Sequence, residues 1–146
     1  MSFAGVSDEL TGYTGTLSGA IGGFDGITFA DATAMTLETA AADVSNTAWI
    51  FDVSARGTAL AGTAILTWDN ADFAGDTVTL NLAAGSNSEW SLVSAAAGTT
   101  YGTFDVQIDG TEIATGLSLN DQIADGDYAG WGFTLDDTVL KFKNLA

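Results

Sequence analysis

Apolar and polar residues alternate along most of the chain. In 76-DTVTLNL-82, Val78, Leu80 and Leu82 fall on one face, and Thr77, Thr79 and Asn81 fall on the other. A period of two marks a strand with one buried face. The same reading predicts strands at 14–21, 26–31, 34–39, 47–55, 63–69, 89–95, 100–108 and 111–116. The chain then finishes on 128-YAGWGFTLDDTVLKF-142, which predicts a hairpin. Trp131, Phe133 and Leu135 share one face of it, and Leu140 and Phe142 join them across an Asp136–Asp137 turn. Lys141 and Lys143 point the other way. Helical periodicity is scarce. The alanine-rich stretch 30–45 is broken by threonines, and the best helical turn is 118-SLNDQIADGD-127, with Ser118 or Asn120 as cap and Gly126 as stop.

Composition narrows the class. A chain of 146 residues is one domain, long enough to bury a core. An apolar share of 47% excludes general disorder despite the acidity. Proline is absent, so nothing interrupts a backbone ladder, and turns fall to Gly, Asp, Asn, Ser and Thr. Nineteen acids stand against Arg56, Lys141 and Lys143, a net charge of -16. Nucleic acid and anionic membranes both require a basic footprint, so neither is a partner. Without His or Cys, the chain lacks the commonest general base, the thiol nucleophile and the usual zinc ligands. No apolar run reaches the roughly 18 residues of a membrane-spanning helix. The start, MSFAGVSDEL, has no basic and apolar leader, which fits a retained protein or a piece of a longer exported one.

Strand centres at Phe51, Leu66, Leu80 and Leu92 recur about every dozen to fifteen residues. Two architectures fit that spacing. A parallel β-helix stacks rung on rung and needs an uninterrupted ladder; an antiparallel β-sandwich or jelly roll buries one face of each sheet. The expectation is a single all-β domain, 1–146: a short right-handed parallel β-helix (β-solenoid). Its solenoid strands fill about 1–95 and its C-terminal hairpin cap region about 96–146, with the sandwich as the alternative. In the solenoid, Trp131, Phe133, Leu135, Leu140 and Phe142 would cover the open end of the core, and the lysines would discourage further strand pairing.

The segments 24-FDGITFADATAMTL-37, 49–82, "EWSLVSAAAGTTYGTFDVQIDG" (89–110) and "YAGWGFTLDDTVLKFKNLA" (128–146) resemble the passenger regions of large bacterial autotransporter-like adhesins and giant surface proteins. The likeness is strongest in the last third, where 89–110 resembles the segment that ends many such passengers and the W-x-F-x-L…L-x-F form of 128–146 follows it. The resemblance implies a β-helix stem, a C-terminal cap and display at the bacterial cell surface. It implies no catalytic residues.

Candidate chemistry is sparse. Asp121, Asp125 and Asp127 lie close together around Gly126 and are candidate calcium ligands, although the sequence has neither an EF-hand loop nor a calcium-binding β-roll repeat. Asp69, Asp72 and Asp76 form a looser cluster, and turn acids commonly bond local backbone instead. Asp52, Glu89 and Glu112 are too scattered to place as a glycosidase pair, so no enzyme and no cofactor is expected. Trp49, Trp68, Trp90 and Trp131 alternate in phase with core residues, but one exposed indole would suit a sugar. Arg56 would pair with Asp52 or Asp69. The function expected is a non-enzymatic extracellular structural or adhesive module that extends or caps a β-helix stem. Its partners would be neighbouring repeats or copies of itself, with a host or matrix glycan or protein as a further candidate. The alternatives are a filament subunit joined by strand addition before Gly22 and a carbohydrate-binding sandwich.

Overall fold

A computed structural model describes residues 2–11, 14–17, 22–30, 34–37, 48–54, 64–69, 71–85 and 89–146; for the first four strands it covers the backbone and the Phe29 side chain. The described residues are all-β and form twelve strands: β1 Ser2–Thr11, β2 Thr14–Leu17, β3 Gly22–Ala30, β4 Ala34–Leu37, β5 Ala48–Asp52, β6 Leu66–Trp68, β7 Phe73–Leu82, β8 Trp90–Ser94, β9 Tyr101–Ile108, β10 Thr111–Leu117, β11 Trp131–Asp136 and β12 Val139–Asn144. The alternation placed most of them. β1 precedes the first strand that the alternation placed individually, at 14–21, and the expected helical turn at 118–127 is a run of tight turns instead. Arg56 and residues 38–47 lie outside the described residues.

Consecutive strands from β1 to β9 alternate between two sheets. The first sheet runs β1-β3-β5-β7-β9-β10 and the second β11-β12-β8-β6-β4-β2. Every pairing among β1 to β9 is parallel. A sandwich of purely antiparallel sheets is therefore not what forms. Parallel pairing in register sets like residues over like. One inward row of the first sheet is Trp49–Val78–Phe104, and the next is Phe29–Phe51–Leu80–Val106. All seven are at most 1% exposed.

The inward faces of both sheets share one core. Trp49 of the first sheet meets Trp68 of the second with ring centroids 5.4 Å apart, and Phe73 packs edge-on to both. Ring contacts continue from Phe73 through Tyr101, Phe104 and Phe133 to Phe142. Contacts of this kind add about 0.5–1.5 kcal/mol each beyond area burial. The outward faces are tied by shorter links. The Asn81 amide nitrogen donates to Asp52 Oδ1 at 3.2 Å, and Asn81 Oδ1 accepts the Gly110 N–H at 2.9 Å. One carboxamide thus bridges β5 and the β9–β10 turn.

β7 bulges against β9: between Phe73 and Thr77, four residue steps oppose the two from Tyr101 to Thr103. Gly75, with φ 78°, makes the bend. The bulge brings the Asp76 backbone over Gly102, where any Cβ would run into the Asp76 carbonyl oxygen. Gly102→Ala is predicted to cost about 3 kcal/mol or more, because backbone must move on both strands. Urea denaturation monitored by tryptophan fluorescence checks this.

Candidate functional site

The feature that sets this chain apart from a plain ladder is its C-terminal end. Parallel pairing stops after β9, rather than near residue 95. Asp109 and Gly110, both at positive φ, turn the chain in a two-residue loop, and β10 returns antiparallel to β9. β10 is interrupted by two bulges and is mostly exposed, the form of a strand that does not invite another. In the second sheet, β12 pairs antiparallel with β8 and β11 pairs antiparallel with β12. The hairpin loop is Asp137–Thr138, one residue later than the sequence suggests, with Asp136 facing Val139.

The predicted cap residues divide. Phe133, Leu140 and Phe142 are fully buried. Trp131 is partly buried against the core, edge-on to Tyr128 at 5.4 Å. Leu135 is 38% exposed at the hairpin tip. Tyr128, not anticipated, is fully buried and donates its hydroxyl to the Ala83 carbonyl at 3.2 Å. The lysines do not sit on an edge. They lie on β12, which is paired on both sides. Lys141 binds Asp136 at 3.0 Å and Glu89 at 3.5 Å. Its hydrogen bond holds the exposed Asp136 carboxyl below the usual range, and Asp136 in turn raises the Lys141 ammonium.

The acids have local roles. Asp121 Oδ2 accepts the Ser118 N–H at 2.8 Å, and Asp72 Oδ1 accepts that of Ala74 at 3.0 Å. Among the described residues, no three acidic side chains converge as a metal site would require, so Asp121, Asp125 and Asp127 are not brought together as calcium ligands. Asp52 binds the Ser54 N–H and hydroxyl. Trp49, Trp68 and Trp90 are at most 2% exposed and offer no platform to a sugar. A small cleft lies between the 96–99 turn and the hairpin tip, lined by Tyr101, Leu135, Asp137 and Thr138 among others.

Two groups carry electrostatic tension. Asp76 accepts the Trp49 indole N–H at 2.9 Å. Burial raises its carboxyl, the indole bond opposes this, and the nearby Asp72 charge adds to the rise. The Tyr101 hydroxyl is shielded from water and has no hydrogen-bond partner, and burial pushes it up to about 12.

No family model, no curated protein and no solved structure matches the chain.

Two predictions follow from the tense groups. Tyr101→Phe removes an unsatisfied hydroxyl without opening a void, so stability holds or rises by about 1 kcal/mol in urea denaturation. For Asp76, the folded chain keeps its proton to a higher pH than the unfolded chain does. Its contribution is therefore greatest below the ordinary carboxylate range and declines as pH rises through the raised folded value. Asp76→Asn keeps an acceptor for Trp49 and removes that decline, which denaturation midpoints between about pH 3 and pH 7 will show.

Proposed function

We propose that the chain is a non-enzymatic structural module of an extracellular surface protein: a short two-sheet parallel β-helix (β-solenoid) whose C-terminal end is capped. The observation that carries this reading is the pairing pattern. Nine successive strands alternate between two parallel ladders, and antiparallel strands occur only at the C-terminal end. A stem made this way extends by adding rungs on one side and ends on the other. The net charge of -16 keeps such a module soluble and sets it against nucleic acid and anionic lipid. Among the described residues no helix is long and apolar enough to cross a membrane. Display at a bacterial surface rests on the resemblance to adhesin passengers. The work of the module is to extend, cap or present a surface to neighbouring repeats or to a host or matrix partner.

A filament subunit is the weaker reading, because head-to-tail growth needs two receptive ends and the C-terminal end is closed. Light scattering after size exclusion, with negative-stain images across a concentration series, separates the two. The capped module is monomeric at every concentration. Regular fibres or a ladder of multiples would overturn it in favour of the filament.

A further inference from the structure

The chain holds three Asp-Gly steps, at 25–26, 109–110 and 125–126. At such a step the glycine amide nitrogen can attack the carboxyl carbon of the aspartate side chain, and glycine has no Cβ to shield that nitrogen. The five-membered ring that results has two requirements. The amide must be free of other bonds, and the side chain must be free to swing back onto it. The first two steps meet neither. Asp25 and Gly26 lie inside β3, which pairs with β1 on one edge and β5 on the other, with Gly26 opposite Ser7. Backbone there cannot turn without breaking the ladder on both sides. Asp109 and Gly110 form the β9–β10 turn. The Gly110 N–H donates to Asn81 Oδ1 at 2.9 Å, and the Asp109 N–H donates to the Leu82 carbonyl at 2.8 Å.

The third step is placed differently. Residues 118–130 run as a strap along the outer edge of β11. The Ile123 N–H donates to the Trp131 carbonyl at 2.8 Å, and the Asn120 N–H donates to the Phe133 carbonyl at 2.7 Å. The Gly130 N–H donates to the Ile123 carbonyl at 2.9 Å, which closes a loop over residues 124–129. Tyr128 is buried under that loop, and its hydroxyl is held on the Ala83 carbonyl. Asp125 and Gly126 are both exposed at the top of it. The Gly126 carbonyl accepts the Ala129 N–H at 3.1 Å, but the Gly126 N–H meets no acceptor among the described residues, and the Asp125 carboxylate meets no donor. A Cβ built on Gly126 would touch nothing, so the approach to its nitrogen is open. Turning Asp125 onto that nitrogen breaks no hydrogen bond of either group.

We propose that Asp125–Gly126 is a site of spontaneous covalent modification, where aspartate isomerises to isoaspartate while the chain stays folded. The Gly126 nitrogen bonds to Cγ of the protonated Asp125 carboxyl and gives up its proton, and one carboxyl oxygen leaves as water. A second water then opens the ring at the main-chain carbonyl of Asp125. That carbonyl becomes a free carboxylate, and the chain now runs through Cγ to Gly126. One water leaves and one enters, so mass and charge are unchanged and no oxidant or reductant is needed. The main chain gains one methylene. The loop absorbs it, because the bonds at Ile123 and Gly130 that fix its ends lie outside residues 124–129. The closed end of the fold thus carries a chemical mark of the protein's age without opening its core.

The test incubates the full chain in warm, mildly acidic buffer, with a matched sample in urea. Aliquots are unfolded and digested with a protease that cuts before aspartate but not before isoaspartate, and the uncut bonds are counted by mass spectrometry. In the folded sample the bond before Asp125 becomes resistant at least about fivefold faster than the bond before Asp109, the factor that one ordinary hydrogen bond on the Gly110 N–H supplies. The bond before Asp25 also lags behind that before Asp125. In urea the three rates converge, because the differences belong to the fold. Asn81→Ala removes the acceptor of the Gly110 N–H and brings Asp109 up towards the rate of Asp125. Should that variant fail to fold, the parent comparison carries the test alone. A folded chain whose bond before Asp125 stays cleavable would overturn the inference. So would one in which Asp25 or Asp109 isomerises first. Fibres in the solution measurements would overturn the capped-module reading and leave this inference standing.

Discussion

A parallel ladder has no natural end. Each strand presents a row of N–H and C=O groups on both edges, and each rung leaves the next edge in need of a partner. The rest of this structure depends on that constraint. From β1 to β9 it is met by repetition, and the price is a sequence with no proline and few long polar side chains at inward positions. After β9 repetition stops, and three devices appear within 36 residues: a bulged antiparallel strand, an antiparallel hairpin, and a strap that fills strand positions with loop backbone. The aromatic chain from Phe73 through Phe104 to Phe142 joins the ladder to this closure, so the cap is continuous with the core.

Charge and core are kept apart. The polar atoms of the described core belong to its tryptophans and tyrosines: the Trp49 indole and the Tyr128 hydroxyl are hydrogen-bonded, while the Trp90 indole and the Tyr101 hydroxyl lack partners. The described acids sit mostly at turns or outward positions, where Asp52, Asp72 and Asp121 bond local backbone. Asp76 is the departure: it holds the Trp49 indole at a bulge and is costly to ionise there. Such residues explain how a strongly acidic chain keeps a compact interior.

Much of this was legible from alternation alone. Val78, Leu80 and Leu82 are buried as their period required, and so are Phe133, Leu140 and Phe142 of the closing hairpin. What escaped was everything decided by backbone meeting backbone. The segment 118–127 carries cap and stop residues and reads as a helical turn, yet its Asn120 and Ile123 N–H groups are spent on β11, because an uncovered strand edge competes well against one turn of weak helix. Lys141 and Lys143 read as edge guards, but pairing of β12 to β8 puts them inside the sheet and leaves the edge to the strap. Gly102 and Gly132 give no local sign of the Asp76 and Asp121 backbone that presses on them. The Asp76–Trp49 bond spans 27 residues and has no motif.

The central claim is that the strands run in two parallel ladders sealed by antiparallel strands. Backbone cross-strand NOEs in the unmodified protein test it most directly. The account predicts contacts characteristic of parallel pairing, linking Ile50 to Thr79 and Thr79 to Asp105, with close Cα-proton pairs confined to β9–β10, β8–β12 and β11–β12. Close Cα-proton pairs between β5 and β7, or between β7 and β9, would mean antiparallel neighbours and would contradict it.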